Sequence, residues 1–471
     1  MNFIAQLAML ALIPLVLYLF TRFPSPKAVI ISFIVAWLFL PQKTAFLFPG
    51  LPDYTRVSAT VYCVLLATFI FDIGRFSSFK LSWLDLPMLI WCLCPLASSI
   101  SNNLGVHDGM SSVLDQTLLW GVPYIIGRIY FNNLRELRLL VISILIGGLI
   151  YIPFCLYEIR MSPQLHRMVY GFFPHMFAQT MRYGGFRPQV FMQHGLAVAA
   201  WLLTATVIGI WLWQAKVIKQ VWGIPMGGLV SVLLITLILA KSTGALIQLG
   251  IGIVILLTIR WFQTSLPLLL LIGAMFFYLG MGVAGTFTGE RADQVVSFMA
   301  QVTNEERAAS LQTRFNNEEA LGEKARQRIV FGWGGWGRNR IYEYNHFGEK
   351  VDNTLSDSMW MQAFGIRGIV GLVSLYVAML LPVISFCFSR YPPPTWFHPK
   401  VAPAAIVALI VTLYMFDSLV NSMENPIFIL SCGGLAGFVI QDVETKTKNR
   451  ASLAGRSLAQ TAQRQHLASK K

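Results

Sequence analysis

At 471 residues, 55% of them hydrophobic and only 12% charged, the chain has a mean hydropathy of +0.61, which sets aside a soluble globular protein in favour of a polytopic membrane protein. A formal net charge of +14 would suggest nucleic acid in a soluble domain, but here loop charges that orient helices account for much of it, and no nucleic-acid partner is expected. Cys63, Cys92, Cys94, Cys155, Cys387 and Cys432 all lie in or beside apolar runs and read as small buried hydrophobes, and the seven histidines are scattered. Neither a disulfide framework nor a metal or cofactor site is expected.

A spanning helix needs roughly 20 mostly apolar residues. By that measure thirteen segments are predicted, near residues 3–20, 28–41, 57–73, 86–102, 111–130, 137–157, 190–213, 222–240, 243–259, 265–286, 358–388, 401–420 and 425–441. The first has no basic residue before it and no small-residue cleavage site after it, and reads as a retained helix rather than a signal peptide. The fifth contains Asp115 and Arg128, and the eighth and ninth are barely separated.

Cytoplasmic loops are enriched in Lys and Arg. With the N-terminus outside, the inner loops and helix ends carry 12 basic residues, against 7 in the outer ones apart from the largest loop. The tail after Gln441 adds seven more to the inner side. The expected organisation is transmembrane helices over 1–286, a large outer loop over 287–357, further helices over 358–441 and a basic cytoplasmic tail over 442–471. The loop holds 11 of the 22 acidic and 9 of the 36 basic residues. Ionisable groups are costly inside a bilayer and cheap at its surface, so chemistry is expected at or beneath this loop. The shorter outer segment 158–189 emerges on the same face.

Four stretches carry candidate chemistry. In RYGGFRPQVFMQHG, residues 182–195, two glycines permit an unusual turn and Pro188 suits a first helical turn. Arg182 and Arg187 would then sit near a helix N-terminus, where free amides already favour an anion such as a diphosphate; the alternative is a pair of arginines snorkelling to headgroups. Lys241, at a tight turn on the same face, has the same two readings. Within the large loop, Thr303 and Glu306 have capping-box spacing for a helix carrying Arg314, either a ligand or a solvated charge. The GWGGWG turn, residues 332–337, flanks two indoles, Trp333 and Trp336, suited to stacking on sugars or to anchoring at the membrane interface. Asp352, Asp357 and His346 precede the eleventh segment; each is a candidate catalytic base or else a cap or solvated charge.

The order of these features resembles the O-antigen ligase and O-antigen polymerase superfamily of bacterial envelope glycosyltransferases, over roughly residues 180–385. It runs from RYGGFRP through a Ser-Thr-Gly turn and an Arg-bearing loop helix to DNTL and then GIRG, residues 365–368. The resemblance implies an all-α, polytopic integral membrane protein of about 12–13 transmembrane helices with one large periplasmic loop (GT-C-like). It implies a metal-independent glycosyltransferase in the bacterial inner membrane, acting at the periplasmic face on undecaprenyl-diphosphate-linked glycans, with membrane lipids and other polysaccharide assembly proteins as partners. Carried over, Arg187 and Arg314 would hold the lipid diphosphate, with Arg182 and Lys241 as secondary candidates. Two departures stand out. The ligases' His-Asn pair is replaced by Asp352 and Asn353, which favours a polymerase of O-antigen or exopolysaccharide over a ligase. The family's Ser-Arg-Gly turn appears as Ser242-Thr243-Gly244. A transporter of lipid-linked sugars is the reading from another class. It would place its ionisable residues near mid-membrane, whereas these gather at the surface.

Overall fold

The computed structural model describes residues 2–48, 50, 52–77, 79–286, 293–294, 296–297, 300–301, 305–344, 350–352 and 358–443. The chain is an all-α membrane protein, and all thirteen predicted segments are helical. The first four are α1 (Phe3–Arg22), α2 (Ser25–Phe39), α3 (Arg56–Phe71) and α4 (Leu86–Ser101). The fifth is interrupted: α5 (Val106–Gln116) and α6 (Val122–Tyr130) are joined by a wide turn over Thr117–Gly121. Then follow α7 (Leu134–Met161), α8 (Gly195–Gln214), α9 (Met226–Leu239), α10 (Thr243–Phe262) and α11 (Leu266–Ala284). The loop helix α12 (Glu305–Arg326) precedes α13 (Met359–Cys387), α14 (Ala402–Asp417) and α15 (Pro426–Val443).

Eight of the described helices are long and apolar enough to cross a membrane on length and composition alone. Helices α2, α3, α9 and α14 are shorter, at 14 to 16 residues, or about 21–24 Å against a hydrocarbon core of about 30 Å. Helix α14 is buried almost throughout, so its neighbours rather than lipid surround it. Among the described residues the strands form three antiparallel two-stranded hairpins: β1 (Met181–Arg182) with β2 (Gly185–Phe186), β3 (Gln220–Val221) with β4 (Ile224–Pro225), and β5 (Tyr342–Tyr344) with β6 (Lys350–Asp352).

Close packing relies on small residues, as expected where burial from water is not the driving force between helices. A β-carbon on Gly127 would lie 2.0 Å from the Leu430 carbonyl oxygen, and one on Gly433 would lie 2.0 Å from that of Tyr124, so α6 and α15 meet backbone to backbone. At the end of the bundle away from the large loop, Arg128 grips Asp85 with two hydrogen bonds of 2.8 and 2.9 Å, and Tyr124 adds a third to the same carboxylate. All six cysteines are buried and unbridged.

The helix α13 is broken. Gly368 has φ 65° and ψ −165°, a conformation open essentially to glycine alone, and it separates a short first half from a second half running to Cys387. The groups freed by the break find partners in the GWGGWG turn and the residues before it. The amides of Trp333 and Gly334 donate to the carbonyls of Gly365 and Ile366, and those of Ile369 and Val370 donate to the carbonyls of Ile329 and Val330. The Ser98 hydroxyl of α4 also donates to the Ile366 carbonyl. Two glycine motifs more than thirty residues apart therefore form one joint. A β-carbon on Gly368 would fall 2.3 Å from the Val330 oxygen, and one on Gly332 would fall 2.5 Å from the Ile366 carbonyl carbon.

Gly368→Ala is accordingly expected to cost about 1–3 kcal/mol in backbone strain alone, before any clash. A lowered melting temperature of the detergent-solubilised protein would show it; an unchanged one would mean that the break tolerates a side chain.

Candidate functional site

The site is assembled at the end of the bundle where the polar segments emerge. The hairpin β1–β2 turns through Tyr183 and Gly184, both with positive φ, the pattern of a tight hairpin turn. Below it lies the α9–α10 turn. The Lys241 ammonium donates to the carbonyls of Arg182 and Tyr183 at 2.9 and 3.1 Å, and a β-carbon on Gly185 would sit 2.3 Å from that ammonium. Lys241 thus props the hairpin, and its own carbonyl accepts from Arg187 Nη2 at 2.9 Å.

Arg187 is almost wholly buried, and its side chain runs so close over Gly195 that a β-carbon there would lie 2.3 Å from Arg187 Cδ. The helix expected to begin at Pro188 begins instead at Gly195, with His194 as its cap. The cause is Glu158, near the end of α7. Its buried carboxylate accepts from the amides of Gln189 and Val190 at 2.8 and 2.7 Å, and from that of Leu165 at 3.0 Å. The Tyr151 hydroxyl accepts from the Phe191 amide. With these amides engaged, residues 189–193 form a turn, and the helix N-terminus moves away from Pro188 to lie beside Arg187.

His194 was not singled out by sequence reasoning, although a histidine directly before a glycine and a long apolar run occupies a capping position. Its Nδ1 accepts from the Leu196 amide at 3.0 Å, so Nε2 carries the proton and faces Gln179 Oε1 at 3.3 Å. Burial holds its pKa down to about 3, helped by the neighbouring His175 and then by the charges of Arg187, Arg182 and Arg314. The charges of three guanidinium groups, one on β1, one on the approach to α8 and one on the loop helix α12, are thus felt at this imidazole.

Arg314 is half-buried on α12, and Glu318, one turn further along the same face, ties the helix to the bundle. The Glu318 carboxylate accepts from the Tyr278 hydroxyl at 3.0 Å and the Trp360 indole at 3.3 Å. Burial raises its pKa, and hydrogen bonds from Ser358, Tyr278 and Trp360 with the charge of Arg314 oppose the rise. The capping residue expected for this helix, Thr303, lies outside the described residues. Of the three candidate bases, Asp352 forms a 2.6 Å ion pair with Arg340, while His346 and Asp357 lie outside the described residues. Trp333 is pinned by its indole to the Lys324 carbonyl, with Arg328 stacked over the ring at 4.7 Å, whereas Trp336 projects into solvent.

Residues 228–376, about a third of the chain, match the model of the O-antigen ligase family. The matched segment takes in Lys241, Arg314 and both glycine motifs but starts after Arg182, Arg187 and His194. No curated protein matches the chain.

Because His194 is neutral when folded, the folded protein binds fewer protons than the unfolded one between pH 6.5 and about 3, so its contribution to stability is present above 6.5 and lost as the pH falls through that window. In histidine-labelled NMR titrations its pKa is expected to rise when inorganic diphosphate is added, since an anion relieves the guanidinium field. No rise would show that the cluster does not take an anion.

Proposed function

We propose that the protein polymerises lipid-linked oligosaccharide repeat units of an O-antigen or exopolysaccharide. It transfers the growing glycan from undecaprenyl diphosphate to a sugar hydroxyl of the next lipid-linked repeat, at the periplasmic face of the inner membrane. The observation that carries this reading is the linked set of cations at one end of the bundle, where Lys241 holds the carbonyls of Arg182 and Tyr183 and accepts from Arg187 on its own carbonyl, with the charge of Arg314 reaching the adjacent His194. In the reaction the bond between the sugar anomeric carbon and the diphosphate oxygen breaks, a new bond to the acceptor oxygen forms, and the acceptor hydroxyl loses its proton. Negative charge grows on the departing diphosphate. Guanidinium groups match phosphate oxygens with two parallel donors and stay charged at any working pH, so they stabilise that charge as it develops and supply what a divalent metal supplies elsewhere. Lys241 and Glu158 act as positioning residues, one holding the hairpin of Arg182 and the other the turn after Arg187. The proton acceptor is sought among Asp352, Asp357 and His346, with Asp352 released from Arg340 in the process.

Support for a polymerase over a ligase comes from Asp352 and Asn353 standing where ligases of the superfamily carry a His-Asn pair. Arg314→Ala and Arg187→Lys are expected to lower polymerisation by about 100-fold with normal protein levels in the membrane. The measurement is polysaccharide chain length together with the pool of lipid-linked single repeats. Loss of long chains with build-up of single repeats is the expected outcome. Long polymer retained on its lipid carrier would make the protein a ligase, and normal polymer correctly delivered would remove the arginines from the reaction.

A further inference from the structure

A second cleft, of about 290 Å³, opens at the break in α13, and the reaction described above leaves it without a role. It is lined by Trp91 of α4, Gln116 of α5, Gln362 and Arg367 of α13, Trp336 of the glycine-rich turn and Glu424 of the loop between α14 and α15. Its composition is that of a surface for sugars: indoles for the apolar faces of pyranose rings, with amide, guanidinium and carboxylate groups for hydroxyls. Trp91 Nε1, Gln116 Nε2 and Arg367 Nε are among the buried donors on its wall that have no hydrogen-bond partner among the described residues. Gln116 is 96% buried, and leaving such donors without an acceptor is costly, so the cleft is built for a molecule rich in acceptor oxygens. Arg367 is held over the Trp91 ring at 4.5 Å and by Gln116 Oε1, which fixes its guanidinium without using all its donors.

The cleft is separate from the arginine cluster yet joined to it by one short segment. Gln193, next to His194, donates to Met423 Sδ at 2.8 Å; Ser422 donates to Gln362 Oε1 at 3.0 Å; and Glu424 follows in the cleft wall. At its outer side the cleft shares Trp336 with a larger one of about 430 Å³ that also contains Trp333, Arg328 and Lys324. Trp336 is 72% exposed, so its ring presents an open face at the point where the two clefts meet.

Resting on the polymerase reading, we propose that this cleft is a glycan subsite that takes the sugar end of the acceptor repeat unit. Trp336 is its stacking platform, and Gln116, Arg367 and Glu424 are its hydrogen-bonding partners. The acceptor then approaches from the α4–α5 side, while the lipid diphosphate of the donor occupies the arginine cluster.

Two probes separate these sites, because each carries only one of the two chemistries. The first is the repeat-unit oligosaccharide released by mild acid from the lipid-linked pool of cells lacking this protein. The second is undecaprenyl diphosphate. Binding of each is measured to the full-length protein in nanodiscs, for wild type, Trp336→Ala, Glu424→Gln and Arg314→Ala. Trp336 is exposed and Glu424→Gln preserves shape, so both variants are expected to fold, and retained undecaprenyl diphosphate binding verifies it. Oligosaccharide affinity is expected to fall about tenfold in Trp336→Ala and in Glu424→Gln, with undecaprenyl diphosphate affinity unchanged. Oligosaccharide binding that survives both substitutions, or is lost only in Arg314→Ala, would overturn the subsite. Failure of the wild type to bind undecaprenyl diphosphate would instead overturn the polymerase reading, leaving any oligosaccharide binding to stand by itself.

Discussion

A helix interrupted near the membrane has to find partners for the amides and carbonyls that the interruption frees, and this requirement organises the functional end of the molecule. At Gly368 the partners are the amides of Trp333 and Gly334, the carbonyls of Ile329 and Val330, and the hydroxyl of Ser98. From Ile369 to Cys387 the second half of the helix is about 28 Å long, close to the thickness of the hydrocarbon core, so the break falls near the bilayer surface. The short first half is then free to serve the site. Its Trp360 anchors the loop helix through Glu318, and its Gln362 and Arg367 line the glycan cleft.

The charges are arranged with a comparable economy. Several of the cations at this end are committed to structure: Lys241 to the hairpin carbonyls, Arg340 to Asp352, and Arg338 to Asp108 at 3.3 Å. Arg182, Arg187 and Arg314 are the ones whose fields meet at His194, and that imidazole, kept neutral, adds no repulsion to them. Glu158 works beneath the surface in the opposite sense. A carboxylate satisfied by three amides at the end of a membrane helix fixes a turn that could not otherwise hold its shape there, and Arg187 inherits its position from that turn.

Much of this was legible in the chain. Apolar runs located all thirteen helical segments, because a helix enclosed by lipid or by other apolar helices has to be apolar along its length. The arginines of RYGGFRP and of the loop helix were recognised as candidates, and GWGGWG as a turn. What could not be read were relations between distant residues. Nothing in local periodicity says that GWGGWG plugs the break at GIRG, or that Lys241 props residues 182 and 183. The start of α8 was misplaced by several residues because a proline marks where a helix is permitted to begin, while Glu158 decides where it does. The cleft beside Arg367 could not be read either, since it is formed by five separate parts of the chain.

The joint at Gly368 also constrains how the chain is built into the membrane. Residues 329–334 leave the ribosome before the helix whose break they fill, so their freed amides and carbonyls have no partner until that helix has been made. Synthesis must run past Val370 before the joint can close, which ties the shaping of this end of the molecule to a late stretch of the chain.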